Sequence, residues 1–396
     1  MKGLLPVEEA QARLLGLRQP LASENVALFE SLGRYLSVEV IAQRDQPAAP
    51  LSAMDGYAIR FDDLPGPWTV VGESAAGTAP DRSVQQGEAM RIFTGAIVPP
   101  GADTVIVQED VALVGGRLQL TGDGPGTAGR HIRLRAADFA VGTTMLRVGT
   151  RLTPGAIAAA AMSGAGQVSV GTRPRVAILT TGDELVQPGR NLAPGQIPDS
   201  NGVMLAAMLH GEVAESTLPH HVRDEREILS KILKDMARRH DVIVTVGGAS
   251  VGDHDHVRGA LEDAGGQIDF WRIAMRPGKP LIAGRIGDAV LVGLPGNPSS
   301  AFVTATMFLL PLIRHLAGAQ YPLPVVHRAP LAEPLSAGGG RRDYLRARLD
   351  NGRLFPSFGQ ESGLTLPLAS ANALLIREIG AAARDAGEIA EYILVA

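Results

Sequence analysis

Between Val176 and Ser300 the chain runs three times from a short, β-branched apolar segment straight into a glycine-bearing turn. The segments are Val176-Ala177-Ile178-Leu179-Thr180-Thr181-Gly182-Asp183-Glu184, Val242-Ile243-Val244-Thr245-Val246-Gly247-Gly248-Ala249-Ser250-Val251-Gly252 and Val290-Leu291-Val292-Gly293-Leu294-Pro295-Gly296-Asn297-Pro298-Ser299-Ser300. Near-continuous apolar runs of this kind belong to strands buried on both faces, the condition of a parallel sheet packed between helices. In such sheets the following turns gather at the carboxyl edge, where ligands bind. Glycine lets backbone N–H groups approach an anion, and the helix that follows adds a partial positive charge. Three such turns on one edge, with carboxylates beside them, read as a site for a phosphorylated ligand and a metal ion.

The rest of the chain arranges itself around that module. Strand and helix alternate from Arg173 to about Gly318, so residues 173–320 are assigned to a central α/β domain with a parallel or mixed sheet. The apolar stretch Ala301 to Ile313, interrupted by Thr304, Thr306 and Pro311, is too short to span a bilayer and reads as a buried helix. Residues 46–139 carry short strands such as Trp68-Thr69-Val70-Val71, Thr104-Val105-Ile106-Val107 and Arg117-Leu118-Gln119-Leu120 between Pro/Gly turns, an inserted β-rich domain. Pro6 to Leu17 has helical spacing, and Thr153-Pro154-Gly155-Ala156 opens a second, alanine-rich helix. If those helices pack on each other, residues 1–45 and 140–172 form an elongated helical stalk. Tyr321-Pro322-Leu323-Pro324 reads as a linker, and the short strands of residues 321–396 as a small C-terminal β-barrel. The fold class is multidomain, α/β plus β.

Composition narrows the partners. A net charge of −4 lacks the basic patch that nucleic-acid binding requires, and 4% aromatics leave little for base stacking. With no cysteine there are no disulfides and no thiolate metal sites. The apolar run at the N-terminus is too short for a signal peptide, so a cytoplasmic protein with no membrane contact is expected.

Each turn offers chemistry. Asp183 and Glu184, just past a strand end, have the hard oxygens that hold Mg²⁺. Asp199-Ser200-Asn201-Gly202 opens a helix whose N-terminus is available to anions. Gly248-Ala249-Ser250-Val251-Gly252 formally matches a nucleophile elbow, which keeps open a serine hydrolase using Ser250 with Asp288 and His315 or His327. The bland reading makes Ser250 a turn hydroxyl that binds phosphate. Asp253-His254-Asp255-His256 leads into a helix and has no completing histidine, so Asp255 is read as a helix-start carboxylate facing the pocket. Arg272, Arg276 and Lys279, around the rigid Pro277-Gly278-Lys279-Pro280 segment, supply fork and point-charge contacts to an oxyanion. In the third turn Asn297 is placed to cap and Pro298 to begin a helix.

Together with Ser52-Ala53-Met54-Asp55-Gly56-Tyr57-Ala58, Thr94-Gly95-Ala96, Pro99-Pro100-Gly101-Ala102-Asp103, Arg276-Pro277-Gly278-Lys279-Pro280 and Leu294-Pro295-Gly296-Asn297-Pro298, these turns resemble the molybdopterin molybdenumtransferase (MoeA) family, which includes the E-domain of gephyrin. The motifs follow family order over nearly the whole chain. The resemblance implies an elongated homodimer of four-domain subunits that inserts molybdate into the dithiolene of adenylylated molybdopterin, with Mg²⁺-assisted release of AMP. It implies a cleft shared between subunits: Asp55, Thr94, Arg133 and Asp138 on one wall, and Glu184, Asp224, Asp255, Arg272, Arg276 and Lys279 on the α/β side. Ser362 matches a C-terminal-domain position of the site. On this pattern Glu184, with Asp183 or Asp255, holds Mg²⁺, while Asp224 and Asp138 orient water or metal. The turn residues Thr181, Gly182, Asp183, Gly248, Ser250, Gly252, Pro295, Asn297 and Pro298 bind substrate. The implied partners are the molybdopterin adenylyltransferase and the proteins that mature molybdoenzymes.

The chain departs from the family pattern in three places. Ala136-Ala137 stand where Gly-Glu commonly precedes the residue matched by Asp138, arginines replace lysines at 272 and 276, and His254 and His256 lie where an aromatic is usual. Besides the hydrolase, two rival readings stand beside the family one. An adenylyltransferase shares the α/β module but leaves the Ser52–Ala58 segment and the C-terminal barrel unexplained. A catalytically silent, molybdopterin-binding scaffold would keep the pocket and lack turnover.

Overall fold

The three apolar runs lie side by side in a computed structural model, which describes residues 4–247 and 256–395, with Trp271 described by its backbone only. Strands Arg175–Thr181, Val242–Val246 and Ala289–Leu294 are parallel, with Val176 opposite Val242 and Val242 opposite Val290. Every residue of the second and third is buried. Alternation assigns their side chains to two layers. Val242, Val244, Val290 and Val292 face helices Ser200–His210 and Pro298–Thr304, and Ile243 and Leu291 face helices Arg226–Met236 and His256–Asp263. The sheet is mixed. Pro280–Ile286 and Gln267–Arg272 add antiparallel strands at one side, and Glu215–Ser216 and His220–Val222 pair in parallel with Arg175–Thr181 at the other.

Asp241 anchors the start of the second strand. Its side chain, 6% exposed, accepts from the backbone N and Nε of Arg175 (2.9 and 3.0 Å) and from Nη2 of Arg18 (3.0 Å). Burial alone pushes its pKa up, but the Arg175 hydrogen bonds and the charges of Arg175 and Arg18 together hold it below the ordinary carboxylate value.

Two expectations about helices are corrected. Helix Val7–Gly16 does not pack on helix Pro154–Met162. Its stripe of Val7, Ala10 and Leu14 enters the α/β core, and Gln11 Nε2 donates to Met307 O at 2.9 Å. Helix Pro154–Met162 instead supplies Ala160 to a separate core with Leu36, Leu152, Val168 and Val170. An apolar stripe specifies that a helix face will be buried but not against which surface. What joins residues 1–45 to 140–172 is mainly β-structure: Ser23–Ala27 runs antiparallel to Gln167–Gly171, and Val40–Ile41 to Thr144–Leu146. The second correction concerns length. The buried helix runs from Pro298 to Leu316, 19 residues, with a π-helical segment Ala305–Leu309 ahead of Pro311. It is long and apolar enough to cross a membrane, yet 83% of its apolar window is buried inside the protein.

The zipped ladders return the chain beside its point of departure, and the segment between them folds separately. Strands Thr69–Ser74, Glu88–Ile92, Gly56–Ile59 and Thr104–Val107 form one sheet, beside the hairpin Val111–Val114 and Arg117–Leu120. Trp68, fully buried, packs with Ile59, Ile106 and Leu118. At the C-terminus, Val326–Pro330, Ile389–Leu394, Ala373–Arg377, Arg342–Asp350 and Arg353–Pro356 are successive neighbours in a second sheet. A bridge from Leu331 to Leu354 curls its two ends together around Leu345, Leu375 and Tyr392. The short strand Met275–Arg276 pairs with Arg342–Asp350 and ties this sheet to the α/β domain.

Candidate functional site

At the carboxyl edge of the parallel strands the three turns border one cleft of about 1280 Å³. Its floor needs glycine. Gly247 has φ +92°, and a Cβ there would stand 2.4 Å from Thr181 O. Gly182 has φ +143°, and the Glu184 carboxylate folds over it so closely that a Cβ would lie 2.6 Å from Oε2. Thr181, Gly182 and Glu184 from the first turn, Gly247 from the second, and Pro295, Asn297 and Pro298 from the third all line the cleft. Asp224 joins them from the segment before helix Arg226–Met236.

The helix N-termini behave differently from the sequence expectation. Asp199 closes its own helix start: its Oδ1 accepts from Gly202 N at 2.9 Å, and its Oδ2 from Thr180 Oγ1 at 2.7 Å. A carboxylate in that place satisfies one of the helix's first N–H groups and competes with an anion for the rest. At helix Pro298–Thr304 the positions are as read, with Pro298 at the first turn, but the Asn297 side chain makes no cap. Its Nδ2 donates to Ser362 Oγ at 3.0 Å. Ser299 completes the junction, N donating to Ser362 O (3.1 Å) and Oγ to Leu364 O (2.9 Å). The C-terminal loop with Gln360, Glu361, Ser362 and Gly363 thereby becomes one wall.

Positive charge enters from two sides. Lys279 is exposed at the cleft and pairs with no carboxylate among the described residues. Arg276 also lines it, but it forms an ion pair with Asp343, Nε lying 2.8 Å from Oδ1. The Asp343 side chain, 3% exposed, also accepts from Arg377 Nη2 at 2.7 Å, so a carboxylate shared by two arginines orients Arg276. Arg341 stands beside them, Nη1 donating to Met275 O at 3.4 Å. Sequence reasoning passed over Arg341, Gln360, Glu361 and Thr365 as site residues, all of which line the cleft, as does Ser200 of the segment read as an anion-facing helix start. For Arg341 a signal existed in the run Gly338-Gly339-Gly340 before an arginine pair. For the others, pairing of the C-terminal loop with a helix start some sixty residues earlier left no local mark.

Several expected site residues lie elsewhere. Arg272 and Asp183 do not line the cleft, and Asp183 is exposed. Asp55, Thr94, Arg133 and Asp138 belong to the inserted domain and take no part in the cleft of this chain. They are organised all the same. Asp55 Oδ1 accepts from Thr94 N at 2.7 Å and Thr94 Oγ1 at 2.8 Å, and these bonds hold its carboxyl below the ordinary value. Arg133, in the two-residue strand Ile132–Arg133, pairs with Leu51, and Asp138 N donates to Gln46 O. Ala136 in the same loop has φ +59°. That is a left-handed conformation glycine adopts freely, so alanine keeps the loop's path at the cost of strain.

Gly248, Ser250, Gly252 and Asp255 lie outside the described residues. Of the proposed hydrolase partners, none lines the cleft. His315 Nε2 sits 3.1 Å from Arg18 O, and the His327 ring is tilted against Tyr392 with centroids 5.5 Å apart. Among the described residues no group of three or more Asp, Glu, His or Cys is placed to hold a metal ion.

Comparison with known proteins gives a consistent result. Residues 5–164 match the family model "MoeA N-terminal region (domain I and II)", residues 177–315 "Probable molybdopterin binding domain" and residues 328–395 "MoeA C-terminal region (domain IV)". A molybdopterin molybdenumtransferase of Nostoc sp. is 38% identical over 375 residues, covering 90% of this chain and 85% of the relative. One from Staphylococcus aureus is 30% identical and covers 98% and 95%. Two crystal structures of the molybdopterin biosynthesis MoeA protein of Pyrococcus horikoshii superpose with TM-scores of 0.82 and 0.84. They are 29% and 26% identical, each covering 99% of this chain and, respectively, 99% and 100% of the other.

Proposed function

The chain belongs to the molybdopterin molybdenumtransferase (MoeA) family, transferases of molybdenum cofactor biosynthesis, and from that premise we propose that it inserts molybdate into the dithiolene of adenylylated molybdopterin and releases AMP. The observation that carries this reading is the cleft itself: Lys279, Arg276 and Arg341 line it together with the carboxylates Glu184 and Asp224 and the helix start at Pro298. Molybdate and a pyrophosphate-bearing cofactor are both anions, and joining them requires fixed positive charge. Lys279 and Arg276 bind phosphate or molybdate oxygens, and Asp343 holds Arg276 in one orientation for that purpose. Ser362 and Asn297, bonded to each other, present a hydroxyl and an amide to the same substrate.

The donor set fits Mg²⁺. Glu184 and Asp224 are hard oxygen ligands on the cleft wall, and Mg²⁺ is usually held by one or two carboxylates with substrate phosphates and waters completing its shell. Bound there, Mg²⁺ would neutralise the phosphate oxygens as AMP leaves. Asp183 is left out of the set because, unlike Gly182 and Glu184 on either side of it, it does not line the cleft. Asp55, kept ionised by Thr94, together with Arg133 and Asp138, would form the facing wall from a second copy of the chain. The support is that these ordered polar groups line no part of their own chain's cleft. The adenylyltransferase that makes the substrate and the maturation proteins that take the product are the proposed partners in the cytoplasm. The adenylyltransferase reading leaves the inserted domain, with its ordered Asp55–Thr94 pair, unexplained, and turnover separates the transferase from the silent scaffold.

The test is AMP release from adenylylated molybdopterin with Mg²⁺, with and without molybdate. Molybdate-dependent release by the wild-type chain is the expected outcome. Tight binding with no release would leave a carrier rather than a transferase.

A further inference from the structure

The wall that carries Ser362 rests on a buried arginine that the proposed reaction does not use. Arg346, in strand Arg342–Asp350, is fully buried at 0% exposure. Its Nη2 donates to Gly359 O and to Glu361 O, both at 3.0 Å. Its Nε and Nη1 have no hydrogen-bond partner, and among the described residues no carboxylate neutralises it. Its backbone is tied to the same loop: Gln360 Oε1 accepts from Arg346 N at 3.1 Å, and Gln360 Nε2 donates to Arg346 O at 2.9 Å. On the far side the loop is bonded to the helix start, through Ser362 O and Oγ to Ser299 N and Asn297 Nδ2.

A cation with two unmatched N–H groups is an expensive strut. Replacing buried ionic groups by apolar residues of similar volume is often neutral or stabilising, so stability alone gives little reason for a guanidinium here. What arginine offers beyond a neutral side chain is an Nη2 group that donates to two carbonyls at once and a charge that solvent does not screen. Both act on the cleft. The Nη2 group holds the carbonyls of Gly359 and Glu361 toward the buried guanidinium. The charge lies directly behind the wall formed by Gln360, Glu361 and Ser362.

We propose that Arg346 is a positioning residue for the phosphate-bearing substrate, holding the Gly359–Ser362 loop against the helix start and lending the cleft a buried positive charge. This rests on the reading that the cleft binds such a substrate. It predicts that binding and folding respond to Arg346 in opposite directions.

The experiment compares full-length wild type, Arg346→Met and Arg346→Lys by thermal melting, by AMP binding in calorimetry and by kcat and KM of AMP release. Arg346→Met should melt at or above the wild-type temperature, while its Kd for AMP rises about tenfold and KM rises more than kcat falls. Arg346→Lys keeps the charge without the fork and should recover part of the affinity. Wild-type AMP affinity in Arg346→Met overturns the proposal. So does an Arg346→Met chain that fails to fold, which makes Arg346 a structural strut, or an Arg346→Lys chain no better than Arg346→Met, which removes the buried charge from the cleft's affinity. The two readings fail separately: a wild type that releases no AMP removes the transferase, while the AMP affinities still decide the role of Arg346.

Discussion

The cleft and the Asp55 patch are both groups of polar residues on β-structure, but their supports differ. The cleft stands on strands buried along their whole length, and its side chains are fixed by bonds to other parts of the fold: Arg276 to Asp343, Asn297 to Ser362, Ser299 to Leu364. Asp55 is only half-buried, and among the described residues its carboxylate is bonded to Thr94 alone, 39 residues further along the inserted domain. A site with a floor and walls can bind on its own. A patch that is ordered but open needs another surface to complete it, which is why a second copy of the chain is the natural reading for Asp55.

The sharpest way to break this contrast is Glu184→Ala. Because the side chain is exposed, melting should stay within about 0.5 kcal/mol of wild type. AMP release should fall by roughly a hundredfold to a thousandfold, the scale of losing one preorganised electrostatic contact. Unchanged turnover would show that the cleft is not where the chemistry occurs.

Asp241→Asn tests the floor rather than the contents. Removing a buried charge paired with Arg175 and Arg18 should cost about 3 kcal/mol, read as a lower melting temperature. Its pH dependence has a definite sign. The folded-state pKa of Asp241 is depressed, so its stabilisation is present above the ordinary carboxylate range and is lost as pH falls through the folded value. The variant should lack that part of the acid sensitivity, and an acid melting profile identical to wild type would remove Asp241 as its source.

Asp55→Asn sharpens the comparison. Alone it should lower AMP release by about ten- to a hundredfold at unchanged stability. Mixed with Glu184→Ala chains and re-associated, it should regain roughly a quarter of wild-type activity, because half of random dimers contain one intact cleft. Mixtures as inactive as either parent would place Asp55 and Glu184 in the same chain's site. The smallest effect is expected from Ala136→Gly, which relieves a left-handed alanine at the edge of the patch and should raise stability by up to about 1 kcal/mol in denaturant unfolding.

Much of this architecture is legible in the sequence. The strands and glycine turns at Gly182, Gly247 and Gly296 follow from local rules, since β-branched runs, glycine and proline at a helix start each act on adjacent backbone. The turn at Gly182, however, leads into the strand Leu185–Val186 and not, as the sequence pattern implied, into a helix, which begins only at Ser200. The motif from Ser52 to Ala58 and the three turns likewise carried the family. Less legible were the partners of amphipathic or charged groups. The stripe on Val7–Gly16 implied burial but not burial in the α/β core. Asn297 had the residue type of a helix cap, but its amide was drawn to Ser362 instead. Arg276 read as a free anion-binding fork, and its Nε is occupied by Asp343.

What the sequence by itself determined, then, was the set of local backbone conformations, the two faces of each buried strand and the family to which the chain belongs. Tertiary structure alone decided which distant residues complete the cleft, how Arg346 comes to lie behind it, and that the Asp55 patch is kept apart from it. The physical reason is range. Backbone preference and side-chain alternation extend over a few residues. A bond such as Asn297 to Ser362 depends on how whole sheets pack, and no short stretch of sequence encodes that packing.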